Sequence, residues 1–343
     1  MKKIVSLVIS LAMVLSCMLY AAVAEGKKIN VVTTIFPIYD WTREVVGEND
    51  HVQLTLLLDS GVDLHSYQPT AADIMKIATC DVFIYVGGES DEWVEDALQE
   101  AVNPNMIVIN LVEAMGEDIK MEEVVEGMEH EHEDHDEDDE DHDHDDDHDD
   151  NDDHDDPDED HDHEDEADEH VWLSLRNAQK LVNAIASAFS IADPAHAENY
   201  QANAAAYNEK LAALDQEYSL AVTEAAFKTV LFGDRFPFRY LVDDYDLGYY
   251  AAFSGCSAET EASFQTIVFL AQKVDELKLP AVLTIEGTNH RIAETIISTT
   301  TTKNQKLLTM NSMQGATLRD VQAGVTYLSI MQDNLEVLKT ALN

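Results

Sequence analysis

Glu129 to Glu169 is a tract of 41 residues holding 29 Asp or Glu and nine His, with no Lys, no Arg and no large apolar side chain. Such a segment cannot bury enough apolar surface to offset the entropy lost on ordering, so it is expected to be disordered. Any fold must therefore be built from the chain on either side of it. The side chains of the tract are almost all potential metal ligands. Imidazole nitrogen suits Zn²⁺, Cu²⁺ and Ni²⁺, while carboxylates suit harder ions and can complete a zinc shell. A solvated acidic block needs no histidine. Here nine recur at short intervals, His130, His132, His135, His142, His144, His148, His154, His161 and His163, and they read as weak auxiliary metal sites.

The formal charge of the chain is −49. Outside the tract, 40 acidic residues still face 20 basic ones, which argues against a nucleic-acid partner. Without the tract and the N-terminal segment about 280 residues remain, enough for two lobes with their own cores. The N-terminus has the pattern of an export leader, with Lys2 and Lys3 ahead of an apolar run from Ile4 to Leu15. Two processing sites compete. Ala22-Val23-Ala24 fits the small-x-small rule for signal peptidase, giving a leader of residues 1–24. Val14-Leu15-Ser16-Cys17 resembles a lipobox, which would anchor the chain through Cys17. Either way the expected location is outside the cytoplasmic membrane, in the periplasm or on the membrane's outer face. No other stretch is long and apolar enough to span a bilayer.

Apart from Cys17 there are only Cys80 and Cys256, and neither belongs to a CxxC pair. That count points to neither a disulfide framework nor a thiolate zinc site. Both read as small core residues, although Cys256 in Ser254-Gly255-Cys256-Ser257 can also be a loop residue near a ligand.

Alternating segments follow along the flanks. Lys28 to Thr34, Val52 to Leu58, Val82 to Val86 and Met106 to Asn110 have the β-branched, apolar character of buried strands. Between them Ile38 to Val46, Thr70 to Ala78 and Trp93 to Ala101 have helical spacing. Beyond the tract, Leu175 to Phe189 is an amphipathic helix, and Pro194 opens a long helical stretch from His196 to about Ala226. A second alternation then runs from Thr229 to Leu342. Strands alternating with helices at this spacing predict parallel sheets wrapped in helices. The expected fold is α/β: two lobes, each a mostly parallel sheet flanked by helices, joined by one long helix. The expected division is an N-terminal lobe 27–193, including a disordered acidic loop 117–167, then a connecting helix 194–227 and a C-terminal lobe 228–343. There is no glycine-rich phosphate loop, no Gly-x-Ser-x-Gly elbow and no His-Glu-x-x-His.

Three stretches carry a resemblance. They are Val31-Val32-Thr33-Thr34-Ile35-Phe36-Pro37-Ile38, Asp63-Leu64-His65-Ser66-Tyr67-Gln68-Pro69-Thr70 and Asp168-Glu169-His170-Val171-Trp172-Leu173. With a His-rich loop just ahead of the last, the chain from about Lys28 resembles the zinc and manganese solute-binding proteins of ABC importers. The resemblance implies that His65 and His170 are the first two metal ligands. It implies two lobes joined by a stiff helix with a metal site in the cleft between them, and a monomeric receptor that hands its ion to an ABC permease in the cytoplasmic membrane. The His-rich loop favours Zn²⁺ over Mn²⁺ as the transported ion. The C-terminal lobe departs from the family pattern. The third ligand falls at Asp234 or Arg235, of which only Asp234 can bind metal, though Asp234 can equally be a cap or an ion-pair partner of Arg235. The fourth falls at Asn311, a weak neutral ligand, so that Asn311, Glu286, His290, water or a residue of the acidic tract can fill the position. Glu286 can also orient a histidine from outside the shell, and His290 reads as a helix-start surface residue.

The implied mechanism is capture and delivery, with no catalysis and no resident cofactor. A metal-dependent extracellular hydrolase using His65, His170 and Glu286 is the alternative from another class, and a surface metal buffer or adhesin is a third.

Overall fold

The computed structural model describes residues 28–128, 166–256, 261–287 and 289–343. The leader, with its Ala24 and Cys17 sites, and the histidines of the acidic tract lie outside the described residues.

Two parallel sheets of four strands each form the framework among the described residues. The first comprises β1 (Ile29–Thr33), β2 (Val52–Leu56), β3 (Val82–Tyr85) and β4 (Ile107–Asn110), in the order β2-β1-β3-β4. The second comprises β5 (Thr229–Phe236), β6 (Gly248–Ser254), β7 (Ala281–Ile285) and β8 (Lys306–Met310), in the order β6-β5-β7-β8. The two orders are the same, so the chain repeats one winding on each side of the acidic tract. In each sheet the central strands carry runs buried on both faces, as parallel strands covered by helices require. Val31, Val82, Phe83 and Ile84 in the first sheet, and Val282 and Leu283 in the second, are at most 1% exposed.

Helices cover both faces. In the first half these are α1 (Phe36–Val46), α2 (Ala71–Thr79), α3 (Trp93–Gln99) and α4 (Leu111–Met115). Between the sheets run α5 (Leu175–Ala192) and α6 (Ala197–Glu224). In the second half are α7 (Arg239–Asp244), α8 (Phe264–Leu277), α9 (Arg291–Thr299), α10 (Leu318–Gln322) and α11 (Tyr327–Ala341). The expected fold is thus observed. Helix α6 is the long joining helix, and its 28 residues span about 42 Å at 1.5 Å per residue. The short helices α4 and α10 lack the length for a readable period and are not anticipated.

Order enters both ends of the segment expected as a loop. Met121 and Ala167 form an antiparallel bridge, and Asp168 and Glu169, the last residues of the acidic tract, are 3% and 1% exposed. They are carboxylates with partners, and those partners form the site described below.

The final helix stitches the halves together. Helix α11 packs on α1 and α6 as well as on its own sheet. Trp41 of α1 meets Tyr327 edge-on with ring centroids 5.0 Å apart. The Tyr327 backbone N–H donates to Asp40 at 2.8 Å, and Arg43 donates to the same carboxylate at 2.6 Å. Asp40 is fully buried, and burial, only partly offset by these two donors, pushes its carboxyl up to about 6. Asp40→Ala strands both donors, so urea unfolding should show a loss of about 1–3 kcal/mol. An unchanged midpoint would mean that this junction adds nothing to stability.

Candidate metal centre

His65 and His170 are delivered by the same local device. Each lies two residues after an aspartate whose side chain accepts the histidine's own backbone N–H, a turn that short Asp side chains favour. Asp63 Oδ1 accepts from His65 N at 3.1 Å, and Asp168 Oδ1 from His170 N at 2.8 Å. Each histidine belongs to a short 3₁₀ turn: His65 lies within Leu64–Ser66, after β2, and His170 opens Val171–Leu173, ahead of α5.

The ring Nδ1 atoms are both spoken for. His170 Nδ1 lies 3.0 Å from Asp168 Oδ1. His65 Nδ1 lies 2.6 Å from Ser90 Oγ and 3.1 Å from Glu169 Oε1, and the Ser90 hydroxyl donates to that same carboxylate oxygen. Each imidazole therefore holds its proton on Nδ1 and turns a bare Nε2 lone pair into the site. The two Nε2 atoms are 3.3 Å apart. Zinc–nitrogen bonds of about 2.0–2.1 Å at the tetrahedral angle place two ligand nitrogens about 3.3 Å apart, so the pair already has the spacing of a tetrahedral edge. The Gln314 amide, the third group at this point, donates from Nε2 to His170 at 2.9 Å and to His65 at 3.2 Å.

A rigid shell surrounds the pair. His170 is fully buried and lies against Trp172 with ring centroids 5.2 Å apart. The Trp172 indole N–H donates to Ser312 O at 2.8 Å, and its carbonyl accepts from Tyr327 Oη at 2.7 Å. Gly255 passes so close that an added Cβ would lie 2.8 Å from His170 Cε1, and Gly88, at φ +84°, would bring one within 2.8 Å of Glu169 Oε2. Burial alone would lower His170, but Asp168, with Glu169 and Glu122 behind it, reverses the sign and holds the imidazole above its usual range. Burial would raise Glu169, but the two histidines and Ser90 outweigh it and hold the carboxyl below its usual range.

The second half of the chain reaches the pair from the carboxyl ends of its own strands. Cys256 follows β6, and its Sγ joins His65 and His170 in a group whose ligand atoms all lie within 4.8 Å of one another. Gln314 follows β8. Neither residue is among the ligands anticipated from sequence, where the cysteine count argues against a thiolate site. Cys256 stands in a loop noted as able to lie near a ligand. Gln314 follows the fourth-ligand candidate Asn311 by three positions, beyond Met313, whose φ of +66° bends the loop between them.

The anticipated C-terminal ligands make other contacts. Asp234 accepts the backbone N–H of Arg235 at 2.9 Å and of Ile285 at 3.3 Å, fastening β5 to β7. The Arg235 guanidinium goes to Asp63 in the first half at 2.6 Å. Glu286 accepts from Ser312 N at 2.6 Å and from Ser312 Oγ at 2.7 Å. Asn311 caps its own loop, accepting from Met313 N at 2.8 Å, and His290 stands half-buried at the start of α9. A cavity of about 710 Å³, lined in part by His51, Asp81, Asp193 and His196, opens at the amino ends of the first sheet's strands, opposite the carboxyl ends that carry the pair.

Fold and site together define a two-lobed α/β receptor with a histidine pair, His170 fully buried and His65 partly so, in the cleft at the carboxyl ends of both sheets, where ligands of such sheets bind. The chain belongs to the family described as ZnuA, zinc-uptake complex component A periplasmic, whose model matches residues 31–341. It is 32% identical over 316 residues to the zinc-binding lipoprotein AdcA of Streptococcus pneumoniae, covering 92% of this chain and 56% of that one. It is 29% identical over 322 residues to the high-affinity zinc uptake system protein ZnuA of Bacillus subtilis, covering 94% and 90%. The chain thus spans little more than half the length of its AdcA relatives. Among solved structures, the Zn(II)-bound ZnuA-like domain of S. pneumoniae AdcA superposes with a TM-score of 0.67 at 28% identity, covering 92% of this chain and 99% of that one. The metal-dependent lipoprotein YcdH of B. subtilis gives 0.68 at 26%, covering 92% and 99%.

The Arg235–Asp63 ion pair ties the second sheet to the turn that carries His65. Arg235 holds the Asp63 carboxyl below its usual range against the upward pull of burial. Arg235→Ala should leave the fold intact and weaken metal binding by about 10–100-fold, as loss of an orienting partner does. Isothermal titration decides it, and parental affinity would show that the pair does not position His65.

Proposed function

We propose that this chain captures Zn²⁺ outside the cytoplasmic membrane and passes it to an ABC permease for import. The observation that carries the reading is the pair of bare Nε2 atoms 3.3 Å apart, each backed by a carboxylate through Nδ1. Two acceptor lone pairs aimed at one point are unfavourable without a donor or a cation between them. Gln314 supplies the donor, and a divalent ion is the stronger occupant. The names of the relatives support zinc as the cargo, and the export pattern of residues 1–24 supports the location, whether the leader is cleaved after Ala24 or lipidated at Cys17. We take 27–193 and 228–343 as the two lobes and 194–227 as the connecting helix, with one chain per receptor. Metal bridging the lobes would bias their relative position, and the permease would read that difference.

The hydrolase alternative is not favoured. It needs a free general base beside a metal-bound water, yet Asp168 and Glu169 hold the imidazoles, Asp63 holds Arg235 and Glu286 holds Ser312. The family is one of uptake receptors. In this reading the nine tract histidines collect cations weakly and exchange them into the tight site.

After deletion of residues 129–165, one Zn²⁺ per chain should remain tightly bound, while several weak, salt-sensitive sites disappear. Equilibrium dialysis against ⁶⁵Zn checks this, and full stoichiometry in the deletion variant would refute the assignment of the weak sites. His65→Ala and His170→Ala should each abolish tight binding, and a variant that titrates like the parent removes that residue from the site. Affinity should fall as the pH is lowered, because metal binds neutral imidazole. His170 is held above its usual range, so the loss should begin at a higher pH than for an ordinary histidine. Zinc titrations across the range from about pH 8 to pH 5, which brackets the ordinary imidazole pKa, measure that onset.

A further inference from the structure

We propose that Cys256 is the third protein ligand, bound as a thiolate, so that this receptor grips its ion with two histidines and one cysteine. The proposal rests on the metal-receptor reading above and names the ligand set of that same site. Among the described residues, His65, His170 and Cys256 are the one group of three such side chains whose ligand atoms converge. The carboxylates that would otherwise complete the shell from the second half of the chain are committed to hydrogen bonds, Asp234 to two backbone N–H groups and Glu286 to Ser312.

The placement of Cys256 is built in. Its backbone N–H donates to Glu122 at 3.1 Å, and its thiol lies 3.5 Å from Glu169 Oε1, the oxygen that also faces His65 Nδ1. Gly255, in contact with the His170 ring, admits the chain at that distance. Cys256 follows β6 of the second sheet, whereas both histidines come from the first half of the chain. Coordination through sulfur therefore ties the two halves through the ion, which two histidines from one half cannot do. On binding, the S–H bond breaks and an S–metal bond forms, with one proton released to solvent per ion and no change of oxidation state. The ligand set carries one negative charge against the ion's two positive charges. It favours borderline and soft ions such as Zn²⁺, Co²⁺ and Cd²⁺ over Mn²⁺, which prefers oxygen. Gln314 stands at the fourth side.

The test is the electronic spectrum of the full chain loaded with Co²⁺. A thiolate ligand gives an intense near-ultraviolet sulfur-to-cobalt charge-transfer band, which imidazole and carboxylate do not. The acidic tract contains no cysteine and contributes nothing to that band. The parent should show the band at one Co²⁺ per chain, together with tetrahedral d–d absorption. Cys256→Ser should lose the band, keep the parental circular dichroism and bind Zn²⁺ more than about 100-fold more weakly, beyond what loss of an orienting partner produces. Its preference for Zn²⁺ over Mn²⁺ should narrow. Tight Co²⁺ binding by the parent with d–d absorption but no charge-transfer band would overturn the proposal and leave the receptor reading standing. So would a band that survives Cys256→Ser, since Cys17 or Cys80 would then be its source. Absence of any tight metal binding by the parent would overturn both.

Discussion

Two neutral imidazoles that present lone pairs to each other across 3.3 Å are the constraint on which the rest of this structure depends. That arrangement is unfavourable in itself and persists only because each ring is held from behind. Asp168 holds one ring, while Ser90 and Glu169 hold the other. Those carboxylates are themselves buried, so they in turn need donors. Asp168 finds His170 N as well as its ring, and Glu169 finds Ser90, His65 and the Cys256 thiol. A buried network of this kind is favourable only while its members are paired. The buried Glu169 Oε2, which has no hydrogen-bond partner among the described residues, marks how close this one lies to its limit. A cation between the rings relieves the opposition that the backing groups maintain.

The fold supplies that network from separate pieces of chain. Repeating one parallel winding twice brings the carboxyl ends of two sheets to a common cleft, and the loops there hold His65, Ser90, Cys256 and Gln314. Trp172 then links the His170 turn to the Ser312 loop and to Tyr327 at the head of α11. Through Tyr327 the same path reaches Asp40 on α1. The His170 turn, the loop after β8, the head of α11 and α1 are thus one connected set of hydrogen bonds.

The fold and the two histidines that meet in the cleft were legible in the sequence for local reasons. Parallel strands buried on both faces read as apolar runs, and the length of α6 reads as one uninterrupted helix. At both histidines the Asp-x-His spacing is itself the structural device, because the aspartate caps the turn that aims the ring. Cys256 and Gln314 have no such signature. Each follows a strand in an irregular loop, and its approach to the histidines exists only once both sheets are in place. Asp234 and Glu286 read as ligand candidates for a related reason. A carboxylate at the end of a buried strand has the composition of a ligand, and only the tertiary structure shows that backbone N–H groups and Ser312 claim it first. The last residues of the acidic tract are the converse case. Asp168 and Glu169 have the same composition as the residues before them, yet they are buried because histidine, serine and cysteine partners meet them.

The two kinds of acidic residue in this chain therefore do opposite work. In the proposed function, the carboxylates of the tract create a field that gathers cations of any kind, with slight selectivity. In the cleft, Asp168, Glu169 and Glu286 accept from specific neutral donors, which fix their orientation while leaving their charge in place. In the proposed function, discrimination then comes from geometry and from the ligand atoms as well as from charge. A pair of nitrogens already at tetrahedral spacing, beside a sulfur and inside a shell closed by Trp172 and Gly255, penalises an ion that prefers six oxygens. Arg235, fixed to Asp63 at the mouth of the His65 turn, adds a positive charge where a looser, purely electrostatic trap would place a negative one. In the proposed function, the cleft binds few ions well and the tract binds many ions weakly.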